Sequence, residues 1–161
     1  GLYSKKFKSL EKLPEGARIV IPNDPVNLAR SLVLLHRAGL IEIAETDLEK
    51  KLSTVKDIVK NPKNFKFIEV EGSQTAHALN DADLAFGYPH YLKMSKAIDP
   101  KKALFLDPID KRFAILFVTR KDYQDKNQKL AKFVKTFQSS KKVQAILDRD
   151  FGEGLWFAGW K

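Results

Sequence analysis

The sequence predicts an α/β fold, in which short parallel strands alternate with helices, and three observations carry that expectation. Residues 17–21 (ARIVI) form a run rich in β-branched side chains that passes through Asn23-Asp24-Pro25 into a stretch of helical periodicity. Residues 65–70 lead in the same way through a short helical segment to a third apolar run at 84–86. The longest apolar run, 113–119, reads as a strand buried on both faces, as strands in parallel sheets are. Strands alternating with helices are the mark of a layered α/β domain.

In chain order, residues 1–7 read as a short strand, and 9–13 as a helical turn capped by Ser9. Pro14-Glu15-Gly16 then turns the chain into the strand at 17–21. Asp24 is suited to cap the next helix, because its carboxylate can accept from the free N–H groups of the first turn. Pro25 fits the first helical position, where its missing donor is not needed. Leu28, Leu32 and Leu35 share one helical face, and Gly39 ends the helix as the residue beyond its cap. Thr54 is expected to cap a short helix over 55–59, broken by Asn61-Pro62. Strand 65–70 follows, then a helix at 75–79 with Ser73 as its cap, and a buried strand at 84–86. Residues 92–97 read as helix, 103–106 as a short strand, and Asp107-Pro108 as a turn. A helix begins at Asp125 or Asn127, with Leu130, Phe133, Val134 and Phe137 at helical spacing. Ser140 starts the last helix, which turns Val143, Ile146, Leu147 and Phe151 inward. The tail, 152–161, carries Trp156, Phe157 and Trp160 and is expected to dock on the body, since large aromatics are unfavourable in water.

The chain has 161 residues, enough for one ordinary domain, and no apolar run approaches the length of a membrane span. It has no cysteine, so disulfides and thiolate metal sites are excluded. The net charge of +9 raises a nucleic-acid partner, but the lysines are interspersed with Asp and Glu and form no dense basic run, so no nucleic acid is expected. Attraction to an anionic membrane surface is a softer reading of the charge, in keeping with an envelope protein. There is no Gly-rich phosphate loop, nucleophile elbow or zinc motif. The expectation is therefore a protein that is not an enzyme, with no catalytic residues, no cofactor and no metal.

The best ligand candidate is Arg30, in the second turn of the helix that starts at Pro25. A strand feeding a helix N-terminus aims N–H groups and a positive partial charge at one point, a plausible anion site. Arg30 reads either as a solvated helix charge or as a clamp whose planar fork grips a carboxylate through two parallel bonds. Asn27, one turn earlier, is a second candidate. Gly87-Tyr88-Pro89-His90-Tyr91 follows a strand, where loops of α/β sheets line the ligand crevice, so Tyr88, His90 and Tyr91 are pocket candidates. The alternative is an aromatic helix start packed on the core. His90 has no second ligand nearby and makes a poor metal site.

The stretch IPNDPVNLARSLVLLHRAGLI resembles the signature of the NlpA-type lipoproteins, the methionine-binding substrate-binding proteins of ABC importers. GLYSKKFKSLEKLPEGA, TVKDIVKNPKNFKFIEVEGSQ, FVTRKD and the ending at 152–160 resemble the flanking and terminal segments of that family. The resemblance implies a periplasmic-binding-protein-like fold (type II): one near-complete lobe, 16–97, carrying Arg30, and an incomplete second lobe. Residues 1–15 and 98–161 would supply the crossing strands, the remnant of the other lobe and the C-terminal helices. It implies an extracytoplasmic solute-binding component that holds a methionine-like amino acid or a short peptide by its carboxylate on Arg30. Transporter membrane subunits would be its partners, recognising the closed, ligand-bound form. The location implied is periplasmic or cell-surface, with a lipid anchor in the full-length form.

The sequence departs from the family in three ways. The family's first strands and helices are missing, so the expected chain is a fragment or a naturally short relative. Tyr88 stands nearest to a ligand-binding asparagine of the family, and Ile115 stands where a second is usual. Losing both amides removes hydrogen bonds to the ligand, so methionine itself does not follow. The incomplete lobe would leave strands 1–7 and 113–119 short of neighbours, and a homodimer that covers them is expected. The competing expectation is a degenerate relative that no longer serves transport and acts as an envelope protein-interaction module.

Overall fold

The structure, a computed structural model, describes residues 1–160. The chain divides into two compact units, Gly1–Asp107 and Pro108–Lys161. The first contains the expected lobe at 16–97 and takes in 1–15 and 98–107 as well.

The first unit is built on a four-stranded sheet. Its strands are β1 (Leu2–Tyr3), β2 (Arg18–Pro22), β5 (Lys66–Val70) and β6 (Leu84–Phe86), while β3 (Glu42–Ile43) and β4 (Ile58–Lys60) form a separate antiparallel pair. The order in the sheet is β1-β6-β2-β5, with β2 parallel to both β5 and β6 and β1 antiparallel to β6. Strand β2 is central, and its apolar run is explained by burial on both faces. Ile19 and Ile21 enter one core with Leu28, Leu32 and Leu35 of α1 (Pro25–Arg37). Val20, between them, enters a second core on the opposite face. There it meets Ala76 of the helical turn α2 (Thr75–Ala78) and Leu92 of α3 (Pro89–Ser95). Alternation along a strand places successive side chains on opposite faces, so one short run serves two layers. Fully burying each Leu or Ile contributes about 1.5–3 kcal/mol.

The ends of α1 follow from its sequence. The Asp24 carboxylate accepts from the Asn27 N–H at 3.0 Å, and Pro25 occupies the first turn. At the other end Gly39 takes φ +73, a left-handed conformation that a side chain would strain. The Leu40 N–H then reaches the Leu35 carbonyl at 3.0 Å and the Gly39 N–H reaches that of His36 at 2.9 Å, which closes the helix.

Several expectations change. The strand at 1–7 shortens to Leu2–Tyr3, because the Ser4 hydroxyl accepts from the Lys6 and Phe7 N–H groups (3.1 and 3.0 Å) and turns the chain. β1 does not lack neighbours: it pairs with β6, and both Leu2 and Tyr3 are fully buried. Nothing of it is left for a second chain to cover. The helix at 55–59 is a 3-10 turn, Val55–Asp57, that runs straight into β4, because pairing with β3 competes for those residues. Glu71, not Ser73, caps the next turn by accepting from the Ser73 N–H. The strand at 103–106 reduces to a single bridge between Leu2 and Phe105.

In the second unit, α4 (Lys129–Ser139) and α5 (Lys141–Phe151) are the regular elements of length, and neither contains a buried residue. The Asp125 carboxylate accepts from the Leu130 and Ala131 N–H groups, both at 2.9 Å, and Ser140 caps α5. The tail docks on these helices. Trp156 donates to the Asp148 carboxylate at 2.8 Å, and the Trp160 ring meets Phe137 edge-on at 6.2 Å. Residue 161, the end of the expected tail, lies outside the described residues.

Residues 113–119 are not a buried strand. Phe113 closes a 3-10 turn, Lys111–Phe113, and 114–120 has no regular structure. Ile115 is 98% exposed and Val118 84%. Among the described residues no strand lies beside this segment, and a strand without a partner has no ladder to hold it. Phe117 lies edge-on to Phe133 and Phe137 of α4 at 5.7 and 5.3 Å.

Candidate functional site

The order β1-β6-β2-β5 places a reversal of winding between β2 and β6. From β2 the chain crosses to β5 on one side and then returns past β2 to β6 on the other. Crevices in such sheets open at the carboxyl ends of the strands flanking the reversal. The segment after β2 is the start of α1, with Asp24, Asn27 and Arg30. The segment after β6 is Gly87, Tyr88 and the start of α3. The topology thus brings two separate stretches of sequence to one end of the sheet.

Arg30 is four-fifths buried, and its guanidinium donates to the Asp107 carboxylate at 3.3 Å. Arg37, two turns further along α1, donates to the other Asp107 oxygen at 3.1 Å. The Tyr88 hydroxyl lies in the same electrostatic neighbourhood, within range of the charges of Arg30 and Asp24. That hydroxyl is buried and has no hydrogen-bond partner. Burial raises its pKa far above the usual phenol value, so Tyr88 is a neutral donor and acceptor. Burial also holds His90 below the usual histidine value, toward the uncharged ring.

Tyr88 packs edge-on against Phe86 at 5.3 Å and Tyr91 at 5.7 Å, with the His90 ring at 5.9 Å. The segment 88–91 is therefore an aromatic helix start rather than an open loop, with Tyr88 as N-cap and Pro89 in the first turn. A Cβ at Gly87 would lie 3.2 Å from Leu92 and 3.3 Å from Tyr3, which explains a glycine at this bend. Asn27 is engaged elsewhere. Its side-chain amide donates to both Asp24 oxygens, at 3.0 and 3.1 Å. The Asp24 carboxylate already occupies the helix N-terminus, where it accepts from the Asn27 N–H.

A groove of about 320 Å³ opens elsewhere on the first unit, between Pro25 and Leu28 of α1 and the 52–56 segment, closed by Glu69. None of Arg30, Asn27, Tyr88 and His90 lines it. Asp107 is the residue that sequence reasoning missed. It reads as a turn residue, and its pairing spans 77 positions of sequence. The available signal was indirect: two arginines seven apart on one helix face call for a counter-charge.

The family model described as NlpA lipoprotein matches residues 1–160. The D-methionine-binding lipoprotein MetQ of Escherichia coli O157:H7 is 39% identical over 160 residues, covering 98% of this chain and 57% of the relative. A solved ABC-transporter periplasmic substrate-binding protein from Coxiella burnetii matches with a TM-score of 0.81 at 34% identity, over 96% of this chain and 63% of the other. A nutrient-binding protein from Burkholderia cenocepacia, solved bound to methionine, matches with a TM-score of 0.82 at 36% identity, again over 96% and 63%. The chain thus spans a little over half the length of the relatives it matches. The fold is the expected periplasmic-binding-protein-like α/β type, with one lobe near complete and the other incomplete. From its first residue to its last described one, this chain belongs to the NlpA lipoprotein family.

Proposed function

We propose that the chain is part of an extracytoplasmic solute-binding component of an ABC importer, and that it holds a methionine-like amino acid or a short peptide by the carboxylate. One observation carries this reading: the Arg30 guanidinium already grips a carboxylate, that of Asp107, beside the unpartnered hydroxyl of Tyr88. Arg30 supplies the charge and Tyr88 a neutral hydrogen bond, while His90 and Tyr91 pack behind Tyr88 and fix its ring. Asn27 contributes by holding Asp24 in its capping position. The relatives' names, which specify methionine binding and lipoproteins, support a periplasmic or cell-surface location with a lipid anchor in the full-length form. No helix among the described residues is long and apolar enough to cross a membrane.

Calorimetric titration of the 161-residue chain with L-methionine, D-methionine and short peptides tests the reading. Arg30→Ala is expected to weaken binding by at least about tenfold, as loss of a hydrogen bond to a charged group does. Unchanged affinity in that variant would remove the carboxylate clamp. The exposed segment 115–118 favours a second reading, a non-transport relative that docks another envelope protein. Silence across the whole ligand panel, with the chain folded, is the outcome that reading expects.

A further inference from the structure

Two guanidinium groups and one carboxylate meet on the outer strip of α1. Arg30 and Arg37 lie two turns apart, so their side chains share one face of the helix. Asp107 spans them, with one oxygen on each, at 3.3 and 3.1 Å. Both distances exceed the roughly 2.7–2.9 Å of a tight charge-assisted bond, and each arginine reaches Asp107 through a single nitrogen rather than two parallel N–H···O bonds. The Arg30 and Asp107 side chains are each 21% exposed, so water reaches the pair and lowers what it contributes. Asp107 is also the last residue of the first unit. Its segment is tied to β1 two and three residues earlier, where Leu104 donates to Leu2 and Leu2 donates to Phe105, both at 2.8 Å. The carboxylate can therefore move without breaking the sheet.

We propose that Asp107 is a built-in competitor for the ligand, so that binding exchanges one carboxylate for another on Arg30 while Arg37 retains Asp107. This rests on the carboxylate-clamp reading of Arg30 and names the residue that sets its affinity. The charges explain why the exchange is accessible. Asp107 is shared between two guanidinium groups, so it can give up its bond to Arg30 and keep an ion pair with Arg37. Asp107 need not be left as an uncompensated partly buried charge, because Arg37 stays with it.

The test titrates the 161-residue chain with L-methionine, D-methionine and acetate, the last as a bare carboxylate. Thermal melts check that each variant is folded. Asp107→Asn keeps the side chain's shape and removes the competing charge, so it is expected to tighten binding about three- to tenfold. Arg37→Ala leaves Asp107 to Arg30 alone and is expected to weaken binding by a similar factor. The double variant should bind like Asp107→Asn. If Asp107 only positions Arg30, Asp107→Asn binds more weakly, and that result overturns the proposal. Unchanged affinity in Asp107→Asn, or in Arg37→Ala, also overturns it. If the parent chain binds none of the three probes, binding by Asp107→Asn supports the proposal and continued silence overturns it. Arg30→Ala separates the two levels: parent-like binding in that variant refutes the clamp itself, whereas its loss with no gain in Asp107→Asn refutes only the competition.

Discussion

The two units carry similar local signals and reach different ends. In the first, the apolar run of β2 lies between two strands and two helical layers, and Ile19, Leu32 and Leu84 are fully buried. In the second, a longer apolar run at 113–119 has no strand beside it, and two amphipathic helices contain no buried residue. An apolar run becomes a strand only where neighbours complete its ladder, and a helix face becomes core only where another layer covers it. The difference lies in the company each segment has, not in its own composition.

The sharpest way to break this comparison is a pair of truncations at similar helical positions. Leu32→Ala removes a side chain with 0% exposure from α1 and is expected to cost about 2–5 kcal/mol in chemical denaturation. Phe133→Ala removes a larger side chain that is 55% exposed on α4, and about 1 kcal/mol or less is expected. Equal losses would show that the second unit has a core of its own. A smaller effect sharpens the picture of the first unit, where the buried Tyr88 hydroxyl has no hydrogen-bond partner. Buried hydroxyls elsewhere are paired: Ser31 donates to the Leu28 carbonyl at 2.6 Å and Tyr3 to that of Pro100 at 3.1 Å. Tyr88→Phe deletes the orphan and is expected to raise stability by about 1 kcal/mol, since an unpaired buried polar group is a net loss. The same variant should bind the ligand panel more weakly. A stabilised variant with unchanged affinity would leave Tyr88 as packing alone.

What the sequence makes legible is what acts over a few residues. The strand at 17–21, the Asp24 cap, Pro25 in the first turn and the stop at Gly39 all appear as expected, because each is decided within one turn of chain. Long-range pairing is not legible. Residues 58–60 turn from helix to strand because Glu42 and Ile43 reach them, and Asp107 finds Arg30 across 77 positions. The aromatic segment 88–91 was ambiguous for a physical reason: rings that pack a helix start and rings that line a pocket have the same composition. Of the site, Arg30 and Tyr88 are brought to the same end of the sheet, and the carboxylate between Arg30 and Arg37 left only the indirect signal of two arginines seven apart.

The exposed run in the second unit has a modest expected effect on stability and a clear one on association. Ile115→Ser changes a side chain that is 98% exposed, so stability should move by less than about 0.5 kcal/mol. The expected homodimer would have to use this segment, which predicts concentration-dependent sedimentation that Ile115→Ser reduces. A monomer at every concentration, in parent and variant alike, removes the homodimer and leaves the segment to another partner.

The smallest effect concerns the margin of the first unit, where the comparison blurs because polar ties replace core. The Asp57 carboxylate accepts from Lys51 at 2.6 Å, from the Thr54 N–H at 2.8 Å and from the Thr54 hydroxyl at 3.0 Å. Lys51 first, and then the Thr54 groups, lower its pKa from 3.8 to about 2. A carboxyl held lower in the folded chain than in the unfolded one stabilises fully above the unfolded value. That contribution is lost as pH falls through the folded value. The Thr54 amide signal should therefore titrate near pH 2, and the local protection of 54–60 should fade between about pH 4 and 2. Asp57→Asn should abolish the step while β2, β5 and β6 keep their protection. A midpoint near 4 in the parent would mean that the cap does not form, and that this margin is held by Ile43 and Ser53, its buried side chains, instead.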